Sequence, residues 1–130
     1  MMPIFIVTGL VIIAGVVLFV MWRMMRSRKL PASLRAKYER DFATARSQND
    51  AHRKILDAEN VVDHALRSLG YQGSFADKLK KAGPRFSDVQ ALWNAHKLRN
   101  RIAHESGVQV SVQEADRVVS AFERALKDLL

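Results

Sequence analysis

The sequence contains no cysteine. That excludes a disulfide framework, a zinc ribbon, an iron–sulfur cluster and a thiol nucleophile, and it fits a reducing compartment. The four histidines lack the paired spacing of a zinc site, so neither a metal nor another cofactor is expected. No acidic residue occurs in the first 30 positions, although the chain carries 13 Asp and Glu in all. Those 30 hold Arg23, Arg26, Arg28 and Lys29, so half of the net charge of +8 is packed into one short cluster. Internal repeats, low-complexity stretches and strand patterns of useful length are also missing; Val108-Gln109-Val110 reads as a connector. The hundred residues after position 30 can bury roughly 60–65% of their unfolded surface, which suffices for one small core and not for two domains.

What the amino-terminal segment does have is an uninterrupted apolar run. Ile4 to Trp22 are 19 residues without a charge, 13 of them Ile, Leu, Val or Phe. As a helix they span about 28 Å, close to a bilayer's hydrocarbon core of about 30 Å. A cleaved secretory signal needs a basic region before the apolar run and a small-x-small site after it, and neither is present. Met1, Met2 and Pro3 precede the run, whereas Arg23, Arg26, Arg28 and Lys29 follow it directly. The positive-inside rule therefore predicts a single-pass anchor with the amino terminus outside and the rest of the chain cytoplasmic. Trp22 is expected at headgroup level, and each cation adds about 1 kcal/mol of attraction to anionic lipid, making the bilayer a partner.

Beyond Pro31, residues 32–47 read as a helix with a narrow apolar stripe of Leu34, Tyr38, Phe42 and Ala45, as in a stalk or a peripheral helix. Ser47-Gln48-Asn49-Asp50 forms a turn ending in an N-cap, and the next helix runs to Leu69 with Gly70 as its stop. Serine followed three residues later by an acid or amide marks three more helix starts, at Ser74 with Asp77, Ser87 with Gln90 and Ser111 with Glu114. Gly83-Pro84 and Gly107 end the first two, and the third runs to the carboxy terminus. The expected fold is all-α: an anchor over 1–30, a linker or stalk helix over 31–49, and a small antiparallel bundle of about four helices over 50–130.

Polar residues intrude in one place. The last helix keeps Val112, Ala115, Val118, Val119, Phe122, Ala125, Leu126 and Leu129 on one arc with every charge outside it. The helix before it has a polar arc only about 80° wide, and Asp88, His96, Arg99 and Asn100 fall in the broad apolar remainder, with His104 at its border. An unpaired buried charge costs several kcal/mol, so these groups must meet one another, a ligand or a second chain.

The residues there read Leu98-Arg99-Asn100-Arg101-Ile102-Ala103-His104. Arg-Asn-x-x-x-His near the end of a long helix resembles the signature of HEPN domains, which are helical bundles; the resemblance covers residues 50–130. Catalytic members of that family are metal-independent ribonucleases acting as dimers, and other members are binding or partner modules. The resemblance implies Arg99, Asn100 and His104 as site residues, RNA as substrate or ligand, and a homodimer. Elementary chemistry agrees with that assignment. Cutting RNA without a metal requires a base for the 2′-hydroxyl proton, an acid for the 5′-oxygen and a fixed cation for the charge on phosphorus. An imidazole suits either proton transfer, and a guanidinium grips two phosphate oxygens. Asn100 lies one turn before His104, while Arg99 is about 140° round and about 7.5 Å along the helix from it, a separation that a two-fold axis near the motif would close.

Each of these features has a plainer reading. Arg99, Asn100 and His104 can form a buried network that fixes the bundle or dimer register, with Asp88 or Glu105 as counter-ion. In that case the chain is a non-catalytic module that dimerises or docks a protein partner at the membrane. His96 reads as a satisfied core or interface histidine, or as a support behind Asn100. Trp93 reads as core. Glu59, Asp63 and His64 resemble metal ligands, but Arg67 follows Asp63 by one turn and the face reads as a solvated, ion-paired surface. Lys78, Lys80, Lys81 and Arg85 form a basic run that serves either RNA contact or solubility.

Overall fold

In the computed structural model, residues 2–130 are described, with the side chains of Met2, Met25, Arg26 and Ser27 left aside. All described regular structure is helical: α1 (Met2–Ser27), α2 (Ala32–Arg46), α3 (Ala51–Ser68), α4 (Phe75–Ala82), a 3-10 turn (Gly83–Arg85), α5 (Val89–His104) and α6 (Val112–Leu129). The first helix stands apart from the rest in composition and burial. Its stretch Pro3–Met24, 22 residues, is long and apolar enough to cross a bilayer, and none of it is buried.

The remaining helices pack around α3, which contacts α2, α5, α6 and α4. Its arc of Ile55, Ala58, Val61, Val62, Ala65, Leu66 and Leu69 is buried as the helical spacing predicts. Against it lie Leu79 of α4, Leu92, Ala95 and Leu98 of α5, and Ala115, Val119, Phe122, Ala125, Leu126 and Leu129 of α6. Short connections force α3 to run back along α2, and α6 along α5. Tyr38, Phe42 and Ala45 of α2 are buried, as is Leu30 before it. The core therefore reaches back to Leu30, and α2 is a peripheral helix of the bundle rather than a stalk standing clear of it. Tyr38 adds a polar tie by donating its hydroxyl proton to the His64 carbonyl at 3.2 Å.

Local signals set the helix ends. Asp50 caps α3 through the His52 amide, Ser74 and Asp77 form a reciprocal capping box on α4, and Ser111 caps α6 through the Glu114 amide. Helix α3 ends in a Schellman motif: Tyr71 N–H donates to the Leu66 carbonyl and Gly70 N–H to the Arg67 carbonyl. Gly70 adopts φ +96°, where a side chain would be strained and a Cβ would also meet the Arg28 guanidinium at 2.8 Å. Two expectations fail in detail. Helix α5 is capped by Asp88, through the Ala91 amide, and not by Ser87, whose amide and hydroxyl instead donate to Asp128 on α6. Val112, expected in the apolar arc, is 68% exposed, because the first turn of α6 extends past the core.

Candidate functional site

The polar intrusion on α5 closes on a residue from another helix. Glu59, on α3, is 4% exposed and faces α5. Its Oε2 lies 2.9 Å from His96 Nδ1, and its Oε1 lies 3.0 Å from Arg99 Nε. Asn100 Nδ2 is 3.2 Å from His96 Nε2, and Arg99 Nη1 is 3.5 Å from Asn100 Oδ1. The four side chains make a closed ring. One assignment of donors and acceptors satisfies its three hydrogen bonds: His96 donates from Nδ1 to Glu59 and accepts at Nε2 from Asn100, whose oxygen accepts from Arg99. The Arg99 Nε proton is not aligned on Oε1, so the 3.0 Å contact is an ion pair without a directed hydrogen bond.

Burial and rings hold the arrangement. His96 is 8% exposed and packs against Phe75 of α4, ring centroids 5.0 Å apart, and edge-on to Trp93 at 6.0 Å. Trp93 is half-buried against the core, in line with its reading as a core residue. Arg99 is partly open, with a quarter of its side chain exposed. Its Nε side faces the buried carboxylate while Nη1 reaches towards Asn100. His104 occupies the last position of α5 and is exposed. Thus Arg99, Asn100 and His96 come together on Glu59, and His104 stands outside that ring, one turn beyond Asn100.

This geometry corrects the sequence reading at several positions. Glu59 is not on a solvated surface; the mixed pattern around it conceals a carboxylate aimed at α5. The counter-ion of Arg99 is Glu59, not Asp88, which caps α5 and pairs with Arg124 at 3.2 Å, nor Glu105, which lies 3.7 Å from Arg101. Asp63 is half-buried and contacts Lys78 Nζ at 2.7 Å, with Arg67 at 3.5 Å, whereas His64 is exposed. Among the described residues no three metal-ligand side chains converge. Lys78 is 2% exposed and belongs to the interior, so the outward basic run consists of Lys80, Lys81 and the half-buried Arg85. Glu59 was detectable in principle: it lies beside the buried Ala58 and one turn from Ile55 and Val62, on the edge of the apolar arc of α3.

Trp22 and Arg23 lie exposed at the end of the apolar stretch, with Phe19 and Trp22 rings 6.0 Å apart. Arg28 and Lys29 follow on the connector; the Arg26 side chain falls outside the described residues. No protein-family model matches the chain, and no curated protein or solved structure matches it either.

Proposed function

We propose that this chain is a membrane-anchored, HEPN-like helical domain that binds RNA and cuts it without a metal, as a homodimer, with Arg99, Asn100 and His104 as its working residues. In this reading α1 crosses the bilayer with the amino terminus outside, and the bundle is cytoplasmic. The observation that carries the reading is the bracing of Arg99. Its Nε side is set against the buried Glu59, while a quarter of the side chain remains open beside Asn100, one turn from an exposed imidazole. A guanidinium braced from behind can meet a phosphate with little further loss of side-chain freedom. His104 removes the 2′-hydroxyl proton as that oxygen attacks phosphorus, or returns a proton to the departing 5′-oxygen. The products are a 2′,3′-cyclic phosphate and a free 5′-hydroxyl. Arg99 stabilises the charge on the phosphoryl oxygens, and a second copy places its own histidine opposite the first.

The closed ring also favours a second reading. Glu59, His96, Arg99 and Asn100 contact one another in a closed ring, as expected of a structural network in a non-catalytic dimerisation or docking module. One experiment separates the two. Single-stranded RNA is incubated in EDTA with the full chain in nonionic detergent, and with His104→Ala and Arg99→Lys. Cleavage to cyclic-phosphate ends, lost in His104→Ala with unchanged thermal unfolding, is the expected result, because His104 is exposed and its removal leaves the core intact. Absence both of cleavage and of RNA binding that weakens steeply with salt would refute the RNA reading and leave the docking module.

A further inference from the structure

The basic residues of the α4 region lie against the base of α1, and contacts on the connector keep them there. Arg85 Nη2 donates to the Arg28 carbonyl at 2.7 Å, Arg28 Nη1 reaches the Leu69 carbonyl at 3.4 Å, and Leu30 is buried in the bundle core. The connector between α1 and α2 is therefore stapled to the edge formed by the end of α3 and the 3-10 turn. Between that edge and α1 runs a groove of about 450 Å³. One wall is apolar, made by Leu18, Met21 and Trp22; the other carries Lys80, Lys81 and Arg85, with Tyr71 and Pro84 completing it. Among the described residues lining it there are three cations and no carboxylate. Of the nearby acids, Asp77 is bonded by the Ser74 amide and feels Lys80 and Lys81 only weakly, and Asp128 accepts from Ser87. Lys81 reaches only the Gln72 carbonyl, at 3.5 Å, and Lys80 is exposed.

We propose that this groove is a binding site for one anionic phospholipid of the bilayer, the acyl chain lying along Leu18, Met21 and Trp22 and the headgroup phosphate held by Lys80, Lys81 and Arg85. The inference rests on α1 being a membrane anchor and is independent of RNA. Its first support is charge complementarity: a phosphate diester bears one negative charge, and the residues lining the groove supply three cations and no carboxylate, Asp77 outside the lining interacting only weakly with Lys80 and Lys81. Its second is depth. With Pro3–Met24 as the span, Met21 and Trp22 fall at the interface, so the apolar wall continues into hydrocarbon while the cations sit at headgroup level. Neither solubility nor a general basic surface requires an apolar wall opposite the lysines. Bound lipid would hold the bundle at a defined tilt against the membrane, with the α4 edge down.

The test uses the full chain carrying Trp93→Phe, so that Trp22 is its only tryptophan, in phosphatidylcholine vesicles doped with brominated-chain lipid. Brominated phosphatidylglycerol should quench Trp22 more strongly than brominated phosphatidylcholine, with local enrichment of about fivefold for each cation engaged. Lys80→Gln/Lys81→Gln should remove most of that preference, and Arg23→Gln/Lys29→Gln, an equal loss of charge next to the helix, should remove less. Equal losses in the two variants, or equal quenching by the two lipids, would overturn the headgroup site while leaving the anchor standing. Quenching by neither would overturn the anchor as well. Suppression of the preference by inorganic phosphate in the buffer would show a site for soluble phosphate and overturn the lipid assignment.

Discussion

Helices α5 and α6 lie side by side in one bundle, yet they bury different chemistry. On α6 the buried positions are Ala115, Val119, Phe122, Ala125, Leu126 and Leu129, and its charged residues all lie outside the buried set. On α5 they are Leu92, Ala95, His96 and Leu98, with Arg99 and Asn100 half-buried next to them. The buried face of α6 is held by oil-like contact, and its polar ties, Asp128 to Ser87 and Arg124 to Asp88, lie at the surface. Helix α5 relies in addition on a carboxylate supplied by α3, so its packing depends on a particular partner and not merely on filled volume. A face of that kind is either a site or a register device, and it should respond to mutation differently from its neighbour.

The largest effects expected are equal in size and unlike in origin. Phe122→Ala empties a fully buried site and should cost about 3–5 kcal/mol. Glu59→Leu leaves Arg99 without its counter-charge in a mostly buried position and should cost a similar ~3–5 kcal/mol. Adding Arg99→Met separates them: it should restore at least half of the loss in the Glu59→Leu background, and should simply add to the loss in the Phe122→Ala background. Thermal unfolding of the full chain in detergent measures all of these. Additivity in both backgrounds would mean that the Glu59–Arg99 contact contributes no coupling, and the contrast between the two helices would vanish.

An intermediate effect is expected at Asn100. Asn100→Ala leaves His96 Nε2 and Arg99 Nη1 without their mutual bridge and should cost about 1–3 kcal/mol. On α6, Ser120→Ala removes only an exposed hydroxyl at 3.5 Å from Arg46 and should stay within about 0.5 kcal/mol. Equal costs at the two positions would argue that the ring is a surface feature of little consequence.

The same contrast explains what could be read before any fold was known. The buried stripes of α3 and α6, the apolar span of α1 and the caps at Asp50, Ser74 and Ser111 follow from periodicity and local hydrogen bonding, which sequence neighbours decide. That His96, Arg99 and Asn100 needed partners was equally legible. The partner was not, because Glu59 lies 37 positions from His96 and only the packing of α3 on α5 brings them together. Lys78 hid in the same way. Within α4 it looks like one of a run of lysines, and its pairing with Asp63 depends on how α4 docks on α3. Even the choice of Asp88 over Ser87 as the cap of α5 turns on a distant group, since Asp128 engages the serine.

Smaller again is the cap effect, which tests whether both helices start by the same physics. Ser111→Ala on α6 removes the acceptor for the Glu114 amide and should cost about 1 kcal/mol. Asp88→Ala removes the corresponding acceptor for the Ala91 amide on α5 and also frees Arg124, so it should cost as much or slightly more. A much larger loss at Asp88 would show that the α5 face depends on this cap as well as on Glu59.

The smallest effect expected is a pH dependence, and it belongs to α4, whose Phe75 packs on His96. The Asp77 carboxyl is held below the usual carboxylate range, first by the Ser74 amide donating to it, then by the Ser74 hydroxyl, with Lys80 and Lys81 adding weakly. A folded-state pKa depressed below the unfolded one gives stability that is complete above the unfolded value and is lost as pH falls through the folded value. Asp77 therefore supports the fold at neutral pH and ceases to do so only in acid. Because the carboxylate is on the surface, solvent screens its contribution. Asp77→Asn should accordingly lower the unfolding temperature slightly at neutral pH and have no effect once the parent carboxyl is protonated. Ser74→Ala, which keeps the backbone donor but removes the hydroxyl, should move the Asp77 titration part of the way back towards the ordinary value. Carboxyl-detected NMR titration of the three proteins gives the shift directly. An Asp77 that titrates in the ordinary range in the parent would show that the capping box at the head of α4 is not maintained in solution, and the seat of Phe75 against His96 would then have to be held by the core alone.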